Sequence, residues 1–69
     1  MKKIILIDGM KCENCANRIK MSLEKIDNIL NVNVNLDTKE VVIEYDKEIN
    51  NYLIEEVIND LGFIFMGEK

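Results

Sequence analysis

Two cysteines, Cys12 and Cys15, have the side chains in this chain that are best suited to chemistry. They lie in the segment 9–15, which reads Gly-Met-Lys-Cys-Glu-Asn-Cys, and the chain has no other cysteine and no histidine. Two thiols at this spacing can bind one soft metal ion together, or they can form a disulfide. The question of function is therefore mainly a question about this pair.

The length and composition of the chain indicate one small folded domain. Its 69 residues, 48% of them hydrophobic, favour a single globular domain over residues 1–69. No apolar run approaches the roughly 18 residues that a membrane span requires. The aliphatic residues 4–7 are also too few for a signal peptide. We therefore expect the protein in the cytoplasm, where structural disulfides are rare.

Charge is distributed unevenly along the chain. The net charge is −4, but residues 1–25 carry a net +3 and residues 26–69 a net −7. An acidic chain without a long basic run is a poor nucleic-acid binder, so we expect no nucleic-acid partner. The cysteines belong to the basic part.

The first half of the chain predicts a strand, a helix and a second strand. Residues 3–8 are rich in β-formers and end at a glycine. Asn14 is the predicted N-cap of the helix that follows. The helix has one apolar stripe, formed by Ala16, Ile19, Leu23 and Ile26. Residues 30–36 alternate strictly between aliphatic residues and asparagine, which predicts a half-buried strand.

The second half predicts a hairpin turn, a strand, a helix and a last strand. Residues 37–39 are polar enough for the turn, and residues 41–45 form the return strand. The second helical stripe consists of Ile54, Val57, Ile58 and Leu61. Gly62 ends this helix at the C′ position, and residues 63–66 form the last strand.

The element order β-α-β-β-α-β predicts an α+β fold of the ferredoxin-like type. Two helices with one apolar stripe each must cover one face of a four-stranded antiparallel sheet with strand order 4-1-3-2. Alternation then places one group of apolar residues on the other face: Ile4, Leu6, Val42, Ile64 and Met66. Two interpretations of this group remain open. It is either a surface for weak self-association or partner docking, or a consequence of the strand preference of Ile and Val.

The chain resembles the heavy-metal-associated domain family, in particular its small bacterial copper chaperones. The resemblance rests on the GMxCxxC motif, on the alternating strand 32–36, and on Ile-Glu-Tyr at 43–45 and Leu-Gly-Phe at 61–63. It covers nearly the whole chain. It implies Cu(I) binding and hand-over to a partner, commonly the related metal-binding domain of a copper-transporting P-type ATPase.

The chemistry of the pair favours the same conclusion. Soft thiolates select Cu(I), which needs few ligands, so Cys12 and Cys15 can hold one Cu(I) per monomer. We expect Cys12 in the loop and Cys15 in the first helical turn, where the helix dipole favours thiolate. Lys11 and Arg18 would favour the resulting anionic centre. The sequence thus predicts a soluble Cu(I) carrier that transfers copper by ligand exchange and is not an enzyme.

Two alternatives remain. The first is a Zn(II), Cd(II) or Hg(II) binder of the same fold. Lys11 fits neither the acidic residue that zinc-type relatives often have before the first cysteine nor the Thr or Ser of copper relatives. The second is a thiol–disulfide oxidoreductase, because CxxC beside β-α-β patterning can be a redox motif. The absence of proline and tryptophan and the short chain oppose it.

Three residues near the motif have a structural and a functional interpretation. We expect Met10 to anchor the core rather than to bind metal through its thioether. For Glu13 we expect a solvated carboxylate rather than a ligand for a harder ion. Phe63 is predicted either to pack in the core or to form an apolar lid over the metal, and the two roles are compatible.

Overall fold

A computed structural model describes all residues 1–69 and contains six elements in the predicted order. They are β1 (Lys2–Asp8), α1 (Glu13–Glu24), β2 (Ile29–Asn35), β3 (Glu40–Tyr45), α2 (Asn51–Asp60) and β4 (Ile64–Glu68). Neither helix has the length and the apolar content needed to cross a bilayer.

The four strands form one antiparallel sheet in the order β2-β3-β1-β4. α1 packs mainly over β2 and α2 over β4, so both helices lie on the same face of the sheet. The predicted ferredoxin-like α+β fold and its strand order are confirmed. β1 occupies a central position, and the chain leaves its carboxyl end to enter the cysteine segment.

The core lies between this sheet and the helices, and alternation along the strands determines its members. Ile5 and Ile7 of β1 are fully buried, whereas Ile4, which precedes them, and Leu6, which lies between them, are only half-buried. The core cluster contains Ile5, Ile7, Met10, Ile19, Leu23, Val32, Val41, Ile43, Tyr45, Ile49, Ile54, Ile58 and Phe63. Both predicted helical stripes contribute to it.

The end of α2 positions Phe63 against the core. The backbone N–H of Gly62 donates to the Asn59 carbonyl at 3.0 Å, and that of Phe63 donates to the Ile58 carbonyl at 3.2 Å. These two bonds form the Schellman pattern, in which the residue after the glycine returns to the apolar face of the helix. The predicted stop at Gly62 is confirmed, and the aromatic ring that follows it is buried.

The start of α1 differs from the prediction. The helix begins at Glu13, so Cys12 is the N-cap and Asn14 lies inside the first turn, where its side chain is exposed. The reason is that the Cys12 carbonyl already accepts a hydrogen bond from the Ala16 N–H at 3.2 Å, which closes the first helical turn. The prediction of Asn14 as the cap was wrong. The predicted strand limits differ from the observed ones by one or two residues.

Candidate metal centre

The loop that carries the cysteines leaves β1 through a turn at Gly9. Gly9 has φ +98°, a left-handed conformation that residues with a side chain rarely adopt. Its N–H donates to the Asp8 carboxylate at 2.9 Å, and Lys39 Nζ donates to the same oxygen at 3.3 Å. These hydrogen bonds fix the direction in which the chain leaves the end of β1.

Two apolar residues hold the loop on the body of the domain. Met10 is only 8% exposed and belongs to the core cluster, so its predicted role as a core anchor is confirmed. Phe63 is equally buried and packs against Gly9, where an added Cβ would lie 3.4 Å from the ring Cδ1. The predicted core packing of Phe63 is therefore confirmed. Its role as a lid over a metal stays a prediction.

The structure brings the two cysteine sulfurs together. Cys12 is exposed at the N-cap of α1, and Cys15 is half-buried in the first turn, as predicted. Both are free thiols, and the Sγ atoms are 3.6 Å apart, with the Cys12 thiol donating to the Cys15 sulfur. One ion of suitable size and softness can contact both sulfurs from solvent.

The surroundings of Cys15 favour its thiolate. Hydrogen bonding from the Lys11 backbone lowers the pKa of Cys15 most, followed by the hydrogen bond from Cys12. The Arg18 guanidinium lowers the pKa further through its charge, whereas partial burial acts in the opposite direction. The net effect is a lowered pKa, as expected for a thiol at the amino end of a helix. The thiolate is the form that binds metal.

The rest of the site is solvated. Lys11, Glu13 and Arg18 are all exposed, and nowhere do three or more His, Cys, Asp or Glu side chains come together as a metal-binding group. The two thiols are therefore the soft donors that this centre offers. The solvated position expected for Glu13 is confirmed by its exposure.

One buried charge was not anticipated from the sequence. Lys3 is only 6% exposed, and its Nζ donates to the Ile49 carbonyl at 3.1 Å and to Asn51 Oδ1 at 2.9 Å. The ammonium also lies 5.2 Å from the centre of the Tyr45 ring. Lys3 thus joins β1 to the segment that starts α2. The available signal was its position two residues before Ile5, which places both on the same face of the strand.

The comparison with protein families matches residues 4–63 to the heavy-metal-associated domain. The chain belongs to the heavy-metal-associated domain family. The matched range includes β1, the cysteine loop, both helices and the Gly62 turn. This membership makes the chain a metal-binding domain and not an enzyme, in agreement with the prediction.

Relatives of this heavy-metal-associated domain include both short proteins and parts of large ones. It is 35% identical over 63 residues to the copper chaperone CopZ of Staphylococcus epidermidis, covering 90% of this chain and 93% of that protein. It is also 40% identical over 58 residues to the copper-exporting P-type ATPase of Bacillus subtilis, covering 83% of this chain but 7% of the ATPase. The domain thus resembles both copper chaperones and the corresponding module of copper pumps.

Solved structures show the same fold. The yeast copper transporter domain CCC2A, determined in apo and Cu(I)-loaded states, superposes with a TM-score of 0.89 at 29% identity, covering 99% of this chain and 93% of that one. A CopZ metallochaperone gives a TM-score of 0.89 at 25% identity, covering 96% of this chain and all of the other. Both comparisons support the ferredoxin-like fold.

Proposed function

We propose that this domain binds one Cu(I) per monomer through the Sγ atoms of Cys12 and Cys15 and carries it to a partner. The observation that supports this most directly is the pair of free thiols 3.6 Å apart at the amino end of α1. The similarity to copper chaperones and to Cu(I)-loaded domains supports the choice of ion. Two thiolates suit Cu(I) because it is soft and accepts few ligands.

Linear coordination of Cu(I) between the two cysteine sulfurs requires a small movement of the loop. If the metal–sulfur distance is taken as the value of about 2.3 Å that zinc thiolates show, two sulfurs on opposite sides of one ion lie roughly 4.6 Å apart. The sulfurs must therefore separate by about 1 Å from their present 3.6 Å. Cys12 is the residue suited to move, since it is exposed and stands outside the regular helix, whereas Cys15 is held in the first turn.

This asymmetry gives the two cysteines different roles in transfer. An incoming thiolate from the acceptor joins both sulfurs in a three-coordinate intermediate, after which one of the original thiolates leaves. Cys12, exposed on the loop, makes the first contact with the acceptor, and Cys15 is the anchored ligand. The partner in this proposal is the metal-binding domain of a copper-transporting P-type ATPase, reached in the cytoplasm.

A metal competition experiment tests the ligand and the ion together. Under anaerobic, reducing conditions, Cu(I) and Zn(II) are each titrated against a chromophoric chelator. We expect one equivalent of Cu(I) bound far more tightly than Zn(II), and X-ray absorption should show a first shell of sulfur only. Preferred binding of Zn(II), Cd(II) or Hg(II) in the same assay would replace copper as the cargo.

Serine variants assign the ligands. Cys15→Ser should abolish tight Cu(I) binding, as should the double variant with Cys12→Ser. Met21→Ser is the matched control, because it removes an exposed sulfur, 62% accessible, from the outer side of α1. This control should bind as the wild type does. Unchanged Cu(I) affinity in the double cysteine variant would refute the proposed site.

Transfer is measured separately. The Cu(I)-loaded protein is mixed with the metal-free N-terminal domain of the Bacillus subtilis copper ATPase, the relative compared above. Copper should appear on the acceptor faster than free Cu(I) dissociates from the donor, because exchange proceeds through a shared intermediate. Appearance only at the dissociation rate would refute ligand exchange while leaving the binding site intact.

A further inference from the structure

The face of the sheet opposite the helices carries an apolar surface over β1, β3 and β4, here called the open-face patch (Ile4, Leu6, Val42, Ile64 and Met66). The strand register places Ile4 opposite Val42, and Leu6 and Met66 line the same surface hollow. Ile64 is 57% and Met66 59% exposed. A contiguous apolar surface of this kind typically marks an interaction site.

The β2 side of the same face provides an internal comparison. There Asn33 and Asn35 are exposed and Asn31 is half-buried, and they alternate with Val32 and Val34 on the helix side; Leu30 before them is a single exposed apolar residue. This alternation is the normal pattern of a strand with one solvated face. β1 and β4 depart from it, so the chain places polar residues on one half of this face and apolar residues on the other.

Strand propensity does not account for the whole patch. It explains Ile and Val, which favour strands wherever they lie, but not Met66. Leu6 pairs with Gly67 and Ile7 with Phe65, so Met66 is the extra residue of a β-bulge. Gly67 provides no side chain to cover Leu6. The flexible, unbranched Met66 beside it is the type of side chain that adapts to an opposing surface.

The charges around the open-face patch cancel. Three pairs of opposite charge border it: Lys2 with Glu44, Asp8 with Lys39, and Glu40 with Lys69. The border is therefore neutral in a chain of net charge −4. A strongly charged partner has no complementary surface here, whereas a second copy of the chain meets a border of no net charge.

We propose that two copies of this chain associate weakly through the open-face patch, sheet against sheet about a twofold axis. A twofold contact uses the same patch on both copies, so apolar side chains meet apolar side chains. Two sheets packed in this way lie about 10 Å apart. Five side chains per copy form a small interface, which is why the association is weak.

The proposed contact leaves the metal centre accessible. Cys12 and Cys15 belong to α1, which covers the opposite face of the sheet. A sheet-to-sheet dimer therefore presents both cysteine pairs to acceptors. Failure of the copper proposal would leave this one untouched, and the reverse also holds.

Sedimentation equilibrium tests the association without interference from the cysteines. The measurements use the Cys12→Ser, Cys15→Ser protein, because it can form neither metal-bridged nor disulfide-linked dimers. Between micromolar and millimolar concentration, the average mass should rise above the 8.0 kDa of the monomer. A mass that remains at 8.0 kDa throughout overturns the proposal.

A pair of methionine variants places the contact on the sheet. Met66→Lys should raise the dissociation constant at least about tenfold, because it brings a charge into an apolar contact. Met21→Lys is the control: it makes the same change on the other side of the molecule, where Met21 is 62% exposed against 59% for Met66. This control should associate like the parent protein. Ile64→Lys is a second patch variant, and thermal unfolding confirms that each variant folds. Equal loss of association in the Met66 and Met21 variants overturns the proposal.

Concentration-dependent amide chemical shifts give an independent location. They should change along β1 and β4 and remain constant in residues 9–15. Changes confined to α1 or to the cysteine loop would place the contact elsewhere and overturn the proposal.

Discussion

Replacing Gly9 by alanine should weaken metal binding, while lowering the stability of the fold no more than a comparable glycine substitution far from the cysteines. Gly9 has φ +98°, and an L-residue in the left-handed region costs about 1–2 kcal/mol. The added Cβ would lie 3.4 Å from Phe63 Cδ1, an ordinary van der Waals separation. Backbone strain, not a clash, is therefore the main consequence. The free energy of unfolding should fall by about 1–2 kcal/mol.

The strain matters for binding because of where it can be relieved. If residue 9 of the variant relieves this strain by rotating towards negative φ, the loop that leads to Cys12 changes direction and presses on Phe63. A strain of about 1–2 kcal/mol corresponds to a factor of about 5–30 in an equilibrium constant. Only the strain that the apo loop relieves and metal binding restores enters the dissociation constant, so we expect the Cu(I) dissociation constant of Gly9→Ala to rise by up to about 5- to 30-fold.

Gly67→Ala is the matched control. Gly67 has φ +113°, and a Cβ there would meet nothing within 4 Å, so the substitution introduces similar backbone strain in β4. It should lower stability comparably and leave Cu(I) affinity unchanged. Urea unfolding measures the first quantity and chelator competition the second. If Gly9→Ala binds Cu(I) as tightly as Gly67→Ala at equal stability, the Gly9 turn does not position the metal ligands.

Three further predictions concern charged residues. Reversing Lys11 and Arg18 to glutamate should slow copper transfer to an acceptor with an acidic rim and weaken the salt dependence of the transfer rate. The reason is that complementary charge mainly sets the association rate. Stopped-flow rates that change neither with salt nor with the charge reversal would exclude electrostatic steering. Lys3→Met should lower the free energy of unfolding by about 1–3 kcal/mol, because the buried Ile49 carbonyl loses a charged donor. The control Lys2→Met, at an exposed site, should lower it by less than about 0.5 kcal/mol. Equal urea midpoints for the two variants would contradict this prediction. Hydrogen bonds from Lys69, and to a smaller extent from Thr38, lower the pKa of Glu40. Its contribution to stability is therefore present above the unfolded pKa of about 4.3 and lost as pH falls through the folded value. Glu40→Gln should lose less stability than the wild type between pH 6 and pH 3, and an identical pH dependence in urea unfolding would refute this.

The fold could be predicted because several local patterns agree with one another. A period of two on the strands, a period of three to four on the helices and a glycine stop after α2 all require the same two-layer arrangement. Alternation also gave the inward and outward faces of β1 and β3 correctly. The β4 bulge had no such signal, because the single extra residue at Met66 appears only when the register with β1 is known.

Lys3 shows how charge can override a correct positional rule. Alternation along β1 places Lys3 on the same buried face as Ile5 and Ile7, but a charged side chain is rarely buried unless it is paired. Its partners are the Glu48 carboxylate at 3.5 Å, the Ile49 carbonyl and Asn51, which lie 45, 46 and 48 residues away in sequence and meet it only through the fold. A prediction from local sequence could not supply that compensation.

The two helix starts show why the capping rule failed at the candidate site and succeeded elsewhere. α2 follows the rule, since Asn50 is its N-cap and accepts from the Tyr52 N–H at 2.8 Å. α1 begins at Glu13, and its N-cap, Cys12, makes no capping side-chain hydrogen bond, which forgoes about 1 kcal/mol of helix stabilisation. Without a capping side chain, the first-turn amides remain free to favour a thiolate. The hydrogen bonding from the Lys11 backbone that lowers the pKa of Cys15 comes from outside the helix and is separate from this effect. The uncapped start also leaves Cys12 free for the movement of about 1 Å that a linear Cu(I) centre requires if its metal–sulfur distance equals the value of about 2.3 Å in zinc thiolates. The position at which the local rule fails is thus the position where the proposed chemistry needs the helix end unoccupied.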